Sequence, residues 1–202
     1  MKAVLSRVLP AELGAQQDGV RQERLISDEY RAQQRAMHAN PEYGVASQAF
    51  APVVAKVMNQ YAVVELLDYG AGKGRLAQTL MRDRLVDHPF RVQHYEPAVP
   101  DWSGEPTPTE MVACIDVLEH IEPHLLDNVL DDLVRVTKAI GLFSVSTEPA
   151  IKKLPDGRNA HLIIEPLEWW VPKLMARFSL HVLQRTADGF FALVMSRSVE
   201  TQ

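Results

Sequence analysis

The feature that most constrains the fold is a glycine-rich segment that directly follows a short apolar run, VVELLDYGAGKGRL at residues 63–76. The apolar run contains β-branched residues, which predicts a short buried strand, and the residues after it show the spacing of a helix. Glycine stands at positions 70, 72 and 74 between the two. Because glycine has no Cβ, the backbone there can approach a ligand closely and adopt conformations that other residues avoid. The segment therefore predicts a ligand-binding turn between a strand and a helix.

The rest of the chain alternates predicted strands with predicted helices, which favours a parallel sheet covered by helices on both faces. Further strands are predicted at residues 90–96, 111–118 and 140–147, and further helices at residues 124–137 and 165–178. Two β runs around Asp188-Gly189 predict an antiparallel hairpin that closes the sheet. The predicted fold class is α/β, a Rossmann-like doubly wound sheet that follows N-terminal helices.

We expect one main domain with an N-terminal extension, because no repeat or low-complexity linker divides the chain. Residues 1–25 are polar and glutamine-rich, which indicates a loose N-terminal arm. Residues 26–61 carry two helical patterns and are predicted to form an N-terminal helical cap. Residues 62–198 form the predicted main domain.

The composition is that of an ordinary folded protein, with 47% hydrophobic and 23% charged residues in 202. The formal net charge is -5, so we do not expect nucleic acid binding over the whole surface. Nucleic acid binding through a local basic patch stays an open alternative. The lone Cys114 excludes an internal disulfide and a thiolate zinc cluster, and its apolar neighbours predict a core position. No segment has the apolar length of a signal peptide or a membrane span, so cytoplasmic residence without membrane contact is expected.

The residues around the glycine turn distinguish two kinds of nucleotide site. A dinucleotide fingerprint, G-x-G-x-x-G, would need a third glycine where Arg75 stands, which disfavours a nucleotide-dependent dehydrogenase. Glu96 ends the next predicted strand, 22 residues past Gly74. A carboxylate at that place can accept hydrogen bonds from both hydroxyls of a ribose. The pattern therefore favours a ribose-bearing ligand other than a dinucleotide.

Residues 68–74, DYGAGKG, resemble the first motif of the class I S-adenosylmethionine-dependent methyltransferases, (D/E)-x-G-x-G-x-G, at every fixed position. The resemblance extends over about residues 60–196 and includes the closing hairpin. It implies S-adenosylmethionine as the cofactor, with its ribose on Glu96 and its adenosine flanked by Tyr95 or Pro97. It also implies cofactor contacts from the turn and from the end of a later strand, namely Asp68, Tyr69, Gly70, Ala71, Gly72, Gly74, Asp116 and Val117.

One departure from the family pattern concerns the size of the sheet. The family usually has a helix, a strand and a further helix between the ribose carboxylate and the fourth strand. Here only the proline-rich segment PAVPDWSGEPTPTE separates Glu96 from Met111, and no strand–helix pair fits into it. We therefore predict a trimmed sheet of six strands.

A second constellation follows the next predicted strand, in ACIDVLEHIEPH, which resembles the family's D-V-L-E-H segment. Together with a later histidine it is also similar to the small-RNA 3′-end methyltransferases, which hold a divalent metal with two acidic residues and two histidines. This similarity implies a site for Mg²⁺, Mn²⁺ or Zn²⁺ at Asp116, Glu119, His120 and His161, whose ligand atoms suit these ions. The same histidines can instead act as a base or a hydrogen-bond donor without a metal.

The segment LPDGRNAHLIIEPLEWW, together with YGVASQ near the N-terminus, is similar to a bacterial and phage group of methyltransferase-like proteins. Its candidate substrate-binding residues are Arg158, Asn159 and Trp169. Arg158 can bind an anionic group, although a solvated loop arginine is the competing interpretation. Trp169 and Trp170 are adjacent and cannot share one helix face, so we expect one in the core and one at the acceptor site.

The N-terminal helices are expected to close the cofactor pocket, with Tyr30, His38 and Tyr43 as candidates to cover the sulfonium. The function implied by the resemblance is transfer of a methyl group to an O or N atom. The expected acceptors are a small molecule, a sugar derivative and a nucleic acid end, in that order. His120 or His161 is the candidate base, oriented by Asp116 or Glu119.

Three alternatives stay open at this point. The chain is alternatively a metal-assisted methyltransferase acting on a nucleic acid end, a non-catalytic methyltransferase-like binding protein, or an enzyme of another class that uses the same cofactor. Neither the identity of the methyl acceptor nor the oligomeric state follows from the sequence.

Overall fold

A computed structural model describes residues 25–40 and 43–197. The arm predicted at residues 1–25 lies outside the described residues except for Leu25, and so does residue 198 at the end of the predicted main domain. No helix within the described ranges is long and apolar enough to cross a membrane.

The strands are β1 Glu65–Tyr69, β2 Arg91–Tyr95, β3 Thr109–Ile115, β4 Thr137–Ser146, β5 Phe178–Arg185 and β6 Gly189–Ser196. They form one six-stranded sheet in the order β2-β1-β3-β4-β6-β5. Strands β1 to β4 run parallel, and β6 lies antiparallel between β4 and β5. The prediction of a Rossmann-like sheet of six strands, closed by an antiparallel hairpin, is confirmed.

The trimmed part of the sheet lies between β2 and β3. This connection contains one 3-10 turn, Pro100–Trp102, and no strand or α-helix. Proline lacks the backbone N–H that a strand interior needs, so a segment with four prolines is unsuited to a further strand. Strand β1 consequently pairs on one side with β2 and on the other directly with β3, where Leu66 lies opposite Met111.

The α-helices are α1 Asp28–His38, α2 Ala46–Tyr61, α3 Arg75–Arg82, α4 Leu126–Val136 and α5 Leu167–Met175. Helices α2 and α3 pack on one face of the sheet in a core that includes Met58, Leu66 and Leu80. Helices α4 and α5 pack on the other face, around residues such as Phe143 and Trp170. All five of these side chains are fully buried, and each contributes on the order of 2 kcal/mol to the stability of the fold.

The two helices of the predicted N-terminal cap pack in different places. Helix α2 is part of the core on one sheet face, where Val54 and Met58 are fully buried. Helix α1 instead packs through Tyr30 against the loop that follows β4, near Leu154 and Ala160. Its N-terminus is capped by Ser27, whose Oγ accepts a hydrogen bond from the Tyr30 N–H. Helix α1 thereby lies beside the carboxyl ends of the parallel strands.

Candidate active site

A cavity of ≈ 600 Å³ opens where the parallel strands end. Because the carboxyl ends of parallel strands meet at one edge of a sheet, the loops after β1, β2, β3 and β4 all contribute to its wall. Helix α1 and the start of α2 close part of the opposite side. Most of the predicted site residues line it, namely Tyr69, Gly70, Ala71, Gly72, Tyr95, Glu96, Pro97, Asp116, Val117, His120 and His161.

The turn after β1 is held against the end of β2 by its own backbone. The N–H groups of Gly70 and Ala71 both donate to the Tyr95 carbonyl oxygen, at 2.8 and 3.0 Å. Gly70 has a φ of +77°, and a Cβ built there would lie 2.4 Å from a methyl carbon of Val117. Glycine is therefore required at this position by the packing of the protein itself.

The other two glycines of the turn differ in what they face. Gly72 lines the cavity, and its N–H donates to a carboxylate oxygen of Glu96 at 3.2 Å. Gly74 does not line the cavity, because it caps the start of α3 with a φ of +66° and faces the ring of Trp102. Of the three, only Gly70 and Gly72 bring bare backbone to the cavity.

Glu96 lies in the cavity wall just after β2, and it is 8% exposed. One carboxylate oxygen accepts from Gly72 N–H and the other from Ala98 N–H, at 3.2 and 3.0 Å. Burial raises the pKa of Glu96, and the two backbone donors oppose that shift. The Nε2 atom of His38 lies 3.8 Å from the carboxylate. Each carboxylate oxygen keeps a second lone pair for a ligand hydroxyl.

Asp68 matches the acidic position of the motif but lies behind the turn, outside the cavity wall. It is 3% exposed, and one carboxylate oxygen lies 3.6 Å from Nδ1 of His94 on the neighbouring strand. Burial raises the pKa of Asp68, and His94 opposes the shift. The structure thus does not bring Asp68 to the surface that a ligand would touch.

Asp116 follows β3 in a left-handed backbone conformation, with a φ of +60°. A non-glycine residue in this region costs on the order of 1 kcal/mol or more, and such residues concentrate at functional sites. The conformation is held by Ser144 on β4, whose carbonyl and hydroxyl oxygens accept from the Asp116 N–H at 3.3 and 3.0 Å. It places Asp116 in the cavity wall beside Val117.

The two histidines present the same nitrogen to the cavity. Nδ1 of His120 lies 2.7 Å from the carbonyl oxygen of Ala160, and Nδ1 of His161 lies 2.6 Å from that of Glu148. A carbonyl oxygen only accepts, so each Nδ1 carries a hydrogen, and Nε2 is the nitrogen that has the lone pair when the ring is neutral. The rings are edge to face with centroids 4.8 Å apart. Burial lowers the pKa of His120 and favours its neutral form, while the charge of the nearby Asp116 opposes the shift.

Three of the four predicted metal ligands come together. One ligand atom each of Asp116, His120 and His161 lies within 4.8 Å of the others. The fourth, Glu119, is fully buried and outside the cavity wall, where one carboxylate oxygen accepts from Ser146 N–H at 2.5 Å. Burial and the nearby Asp116 raise the pKa of Glu119 well above its usual range. The structure therefore does not bring Glu119 together with the other three candidate ligands.

Comparisons with solved structures agree with this architecture. One similar structure is the Burkholderia thailandensis 1,6-didemethyltoxoflavin-N1-methyltransferase, solved with 1,6-didemethyltoxoflavin and S-adenosylhomocysteine. The alignment covers 98% of this chain and 94% of that protein, at a TM-score of 0.59 and 14% identity. For the methyltransferase domain of bacterial CtHen1-C, the TM-score is 0.52 at 13% identity, with 74% of this chain and 97% of that domain covered. The chain has the Rossmann-like methyltransferase fold.

A third similar structure is longer than this chain. An O-methyltransferase family protein from Burkholderia thailandensis aligns with 76% of this chain at a TM-score of 0.56 and 15% identity, and the chain spans 57% of its length. No family model and no curated protein matches the sequence. At these identities the likeness concerns the methyltransferase fold.

Three residues expected to bind substrate lie outside the cavity wall of this methyltransferase fold. Arg158 is exposed and paired with Asp156 at 2.6 Å. The Asn159 side chain is hydrogen-bonded within its own loop. Its Oδ1 accepts from the Ala150 N–H, and its Nδ2 donates to the Ala150 carbonyl oxygen. Trp169 packs at the margin of the core, with Lys173 Nζ 4.3 Å from its ring centroid, whereas the fully buried Trp170 is the core member predicted for this pair.

Tyr30, His38 and Tyr43, the three N-terminal candidates, all line the cavity. Gln34 lines it as well and was not indicated by the sequence. It lies beside Gln33 inside a polar helical pattern, where residue type does not distinguish the two glutamines. Its position one helical turn after Tyr30 is the only sequence signal that points to it.

Proposed function

We propose that the protein is an S-adenosylmethionine-dependent methyltransferase that transfers a methyl group to an O or N atom of a small molecule or sugar derivative. One observation carries the proposal, the arrangement of a single cavity with two chemically distinct sides. The cofactor half consists of Gly70, Gly72 and Glu96. The acceptor half consists of Asp116, His120 and His161, whose histidine Nε2 atoms keep their lone pairs.

The cofactor half fits an adenosyl amino acid. The cavity volume of ≈ 600 Å³ is within the range of about 300–1,000 Å³ typical of small-molecule sites. Glu96 offers an acceptor lone pair on each carboxylate oxygen to ribose hydroxyls, while Tyr95 and Pro97 lie beside it in the wall. The backbone of Gly70 and Gly72 lines the cavity, where the amino-acid end can lie against it. When bound, S-adenosylmethionine supplies a methyl group that the sulfonium has already activated.

The acceptor half provides a base. A histidine Nε2 that keeps its lone pair can take the proton of an acceptor hydroxyl or amine, and imidazole titrates near neutral pH. The backbone carbonyls of Ala160 and Glu148 hold the two rings in this tautomer. Asp116 beside them stabilises the imidazolium that forms.

The test compares His161→Ala with His181→Ala, a control on the exposed strand β5. Calorimetry with S-adenosylhomocysteine measures the affinity of the cofactor site. For turnover, the enzyme is incubated with S-adenosylmethionine and the low-molecular-weight fraction of a cell extract as the source of methyl acceptors. Mass spectrometry then measures the S-adenosylhomocysteine that is formed. Removing a general base is expected to slow turnover by about 100-fold or more while affinity changes less than about twofold. The control should match the wild type. Full activity of His161→Ala would remove this histidine as the base, and failure of the wild type to bind the product would overturn the function.

A second candidate function is favoured by the convergence of Asp116, His120 and His161. Carboxylate and imidazole ligands suit Mg²⁺, Mn²⁺ or Zn²⁺, and hydrogen bonds from each Nδ1 to a backbone carbonyl are common for metal-binding histidines. A cation held there would lower the pKa of an acceptor hydroxyl, as in metal-assisted methyl transfer to a nucleic acid end.

Titration of the purified protein with Mn²⁺ by calorimetry tests the metal hypothesis. Saturable heat that disappears in Asp116→Asn would support it, because the amide is a poorer metal ligand of nearly the same shape. Lack of saturable heat in the wild type would remove this candidate and leave the metal-free base.

A further inference from the structure

Two tyrosines and a glutamine form a buried hydrogen-bonded chain in the cavity wall. Tyr30, Gln34 and Tyr43 are 3%, 7% and 8% exposed, and all three line the cavity. The Tyr43 hydroxyl donates to Gln34 Oε1 at 3.0 Å, and Gln34 Nε2 donates to the Tyr30 hydroxyl oxygen at 2.6 Å. We call this set the tyrosine relay.

The tyrosine relay leaves one hydroxyl hydrogen unused. A primary amide that bridges two hydroxyls accepts from one of them and donates to the other. The first hydroxyl gives up its only hydrogen, while the second keeps its own. If the amide of Gln34 is turned over, the two tyrosines exchange roles and one hydrogen is still left. In the orientation observed, it belongs to Tyr30, which donates to none of the described residues.

The tyrosine relay adjoins the acceptor half of the cavity, whose wall it shares. Tyr30 belongs to the same buried cluster as Ala160, whose carbonyl oxygen holds the His120 ring. The Tyr43 ring lies edge to face with His120, with centroids 6.2 Å apart. Burial raises the pKa of Tyr30 well above its usual range and that of Tyr43 to about 12, so both hydroxyls keep their hydrogens at neutral pH.

The acceptor half therefore offers complementary groups to a ligand. Asp116 and the two histidine Nε2 atoms accept hydrogen bonds, whereas the tyrosine relay donates, through its unused hydroxyl hydrogen and the second N–H of Gln34. A molecule that satisfies both must carry a hydrogen-bond donor at the methylated atom and an acceptor atom a short distance away. A buried donor that stays unpaired is unfavourable, so ligands without such an acceptor atom bind less well.

We propose that the tyrosine relay is a specificity determinant that selects methyl acceptors carrying a carbonyl oxygen or ring nitrogen near the methylated hydroxyl or amine. The proposal rests on the proposed methyltransferase function and narrows its substrate class. Hydrogen-bonding sites of this kind discriminate strongly between ligands that differ by a single polar atom.

Matched probe pairs test the relay in protein saturated with S-adenosylhomocysteine. The pairs are 3-hydroxypyridine with phenol and 3-aminopyridine with aniline, in which a ring nitrogen replaces a C–H group. In the wild type, the pyridine member of at least one pair is expected to bind about 10-fold more tightly, as measured by ligand-observed NMR. In Tyr30→Phe/Gln34→Leu/Tyr43→Phe the ratio should fall to about 1, because neither a hydroxyl nor an amide hydrogen of the relay is left to donate.

The control is Tyr61→Phe, which removes a hydroxyl bonded to His181 at the exposed strand β5 and should keep the wild-type ratio. If this variant does not fold, Gln34→Glu is measured instead, because an ionised carboxylate accepts from both tyrosine hydroxyls and leaves no hydrogen to donate. Equal binding within both pairs in the wild type, or the same ratio in wild type and variant, would overturn the proposal. Loss of S-adenosylhomocysteine binding by the wild type would instead overturn the proposed function, so the two failures are distinguishable.

Discussion

The two halves of the cavity are built in different ways. In the cofactor half, backbone groups at the ends of two neighbouring strands bond to each other, as Gly70 and Ala71 do to Tyr95. In the acceptor half, side chains are oriented by carbonyl oxygens from a distant loop, and the Ala160 oxygen that holds His120 is 40 positions along the chain. Backbone geometry therefore shapes the first half and side-chain chemistry the second. Changes in the cofactor half should affect folding and affinity, while changes in the acceptor half should affect turnover.

The largest effect is expected from Gly70→Ala in the cofactor half. A Cβ there would lie 2.4 Å from Val117, and the φ of +77° strains any residue but glycine. Strain and overpacking together should lower the free energy of unfolding by about 3 kcal/mol, measured by urea denaturation. Gly104→Ala is the matched control, because a Cβ there meets nothing within 4 Å, and its effect should stay below about 1 kcal/mol. Equal stability of the two variants would show that the turn tolerates a side chain.

A smaller effect is expected from Glu96→Gln, which tests whether the same half also binds the cofactor. The amide keeps the volume of the side chain but replaces one carboxylate oxygen with a donor group. Affinity for S-adenosylhomocysteine should fall about 10- to 100-fold, since hydrogen bonds to charged groups contribute about 1.5–3 kcal/mol. Glu110→Gln is the control, because Glu110 accepts from Val64 N–H at the amino end of β1. Unchanged affinity in Glu96→Gln would show that the Glu96 carboxylate does not bind the cofactor.

The difference between the halves also explains which predictions the sequence supported. The strand–turn–helix around residues 63–76 and the proline-rich gap after Glu96 are local patterns, and the structure contains the sheet that they predict. The meeting of Asp116, His120 and His161 was expected only through a family resemblance. Spacing along the chain gives no direct sign that Ala160 and Glu148 would hold the two rings.

Residues that the sequence grouped by motif face different directions in the structure. Asp68 and Gly74 belong to the motif but face His94 and Trp102 behind the turn. Glu119 belongs to the histidine segment but is fully buried. Neighbours along a chain point in different directions according to the local backbone, and the short 3-10 turn at Leu118–His120 could not be read from residue types.

The smallest effect is expected from Arg158→Ala. Comparison with Lys152→Ala tests which of the two cationic side chains affects KM. Arg158 is exposed and paired with Asp156, whereas Lys152 lines the cavity with Nζ 5.6 Å from the Tyr43 ring centroid. An exposed ion pair contributes little, so turnover and KM of Arg158→Ala should stay within about twofold of the wild type. If the methyl acceptor is anionic, KM should rise in Lys152→Ala alone, because of the two charges only that of Lys152 lies in the cavity wall. A rise in Arg158→Ala alone would mean that the loop after β4 rearranges to bring Arg158 over the cavity.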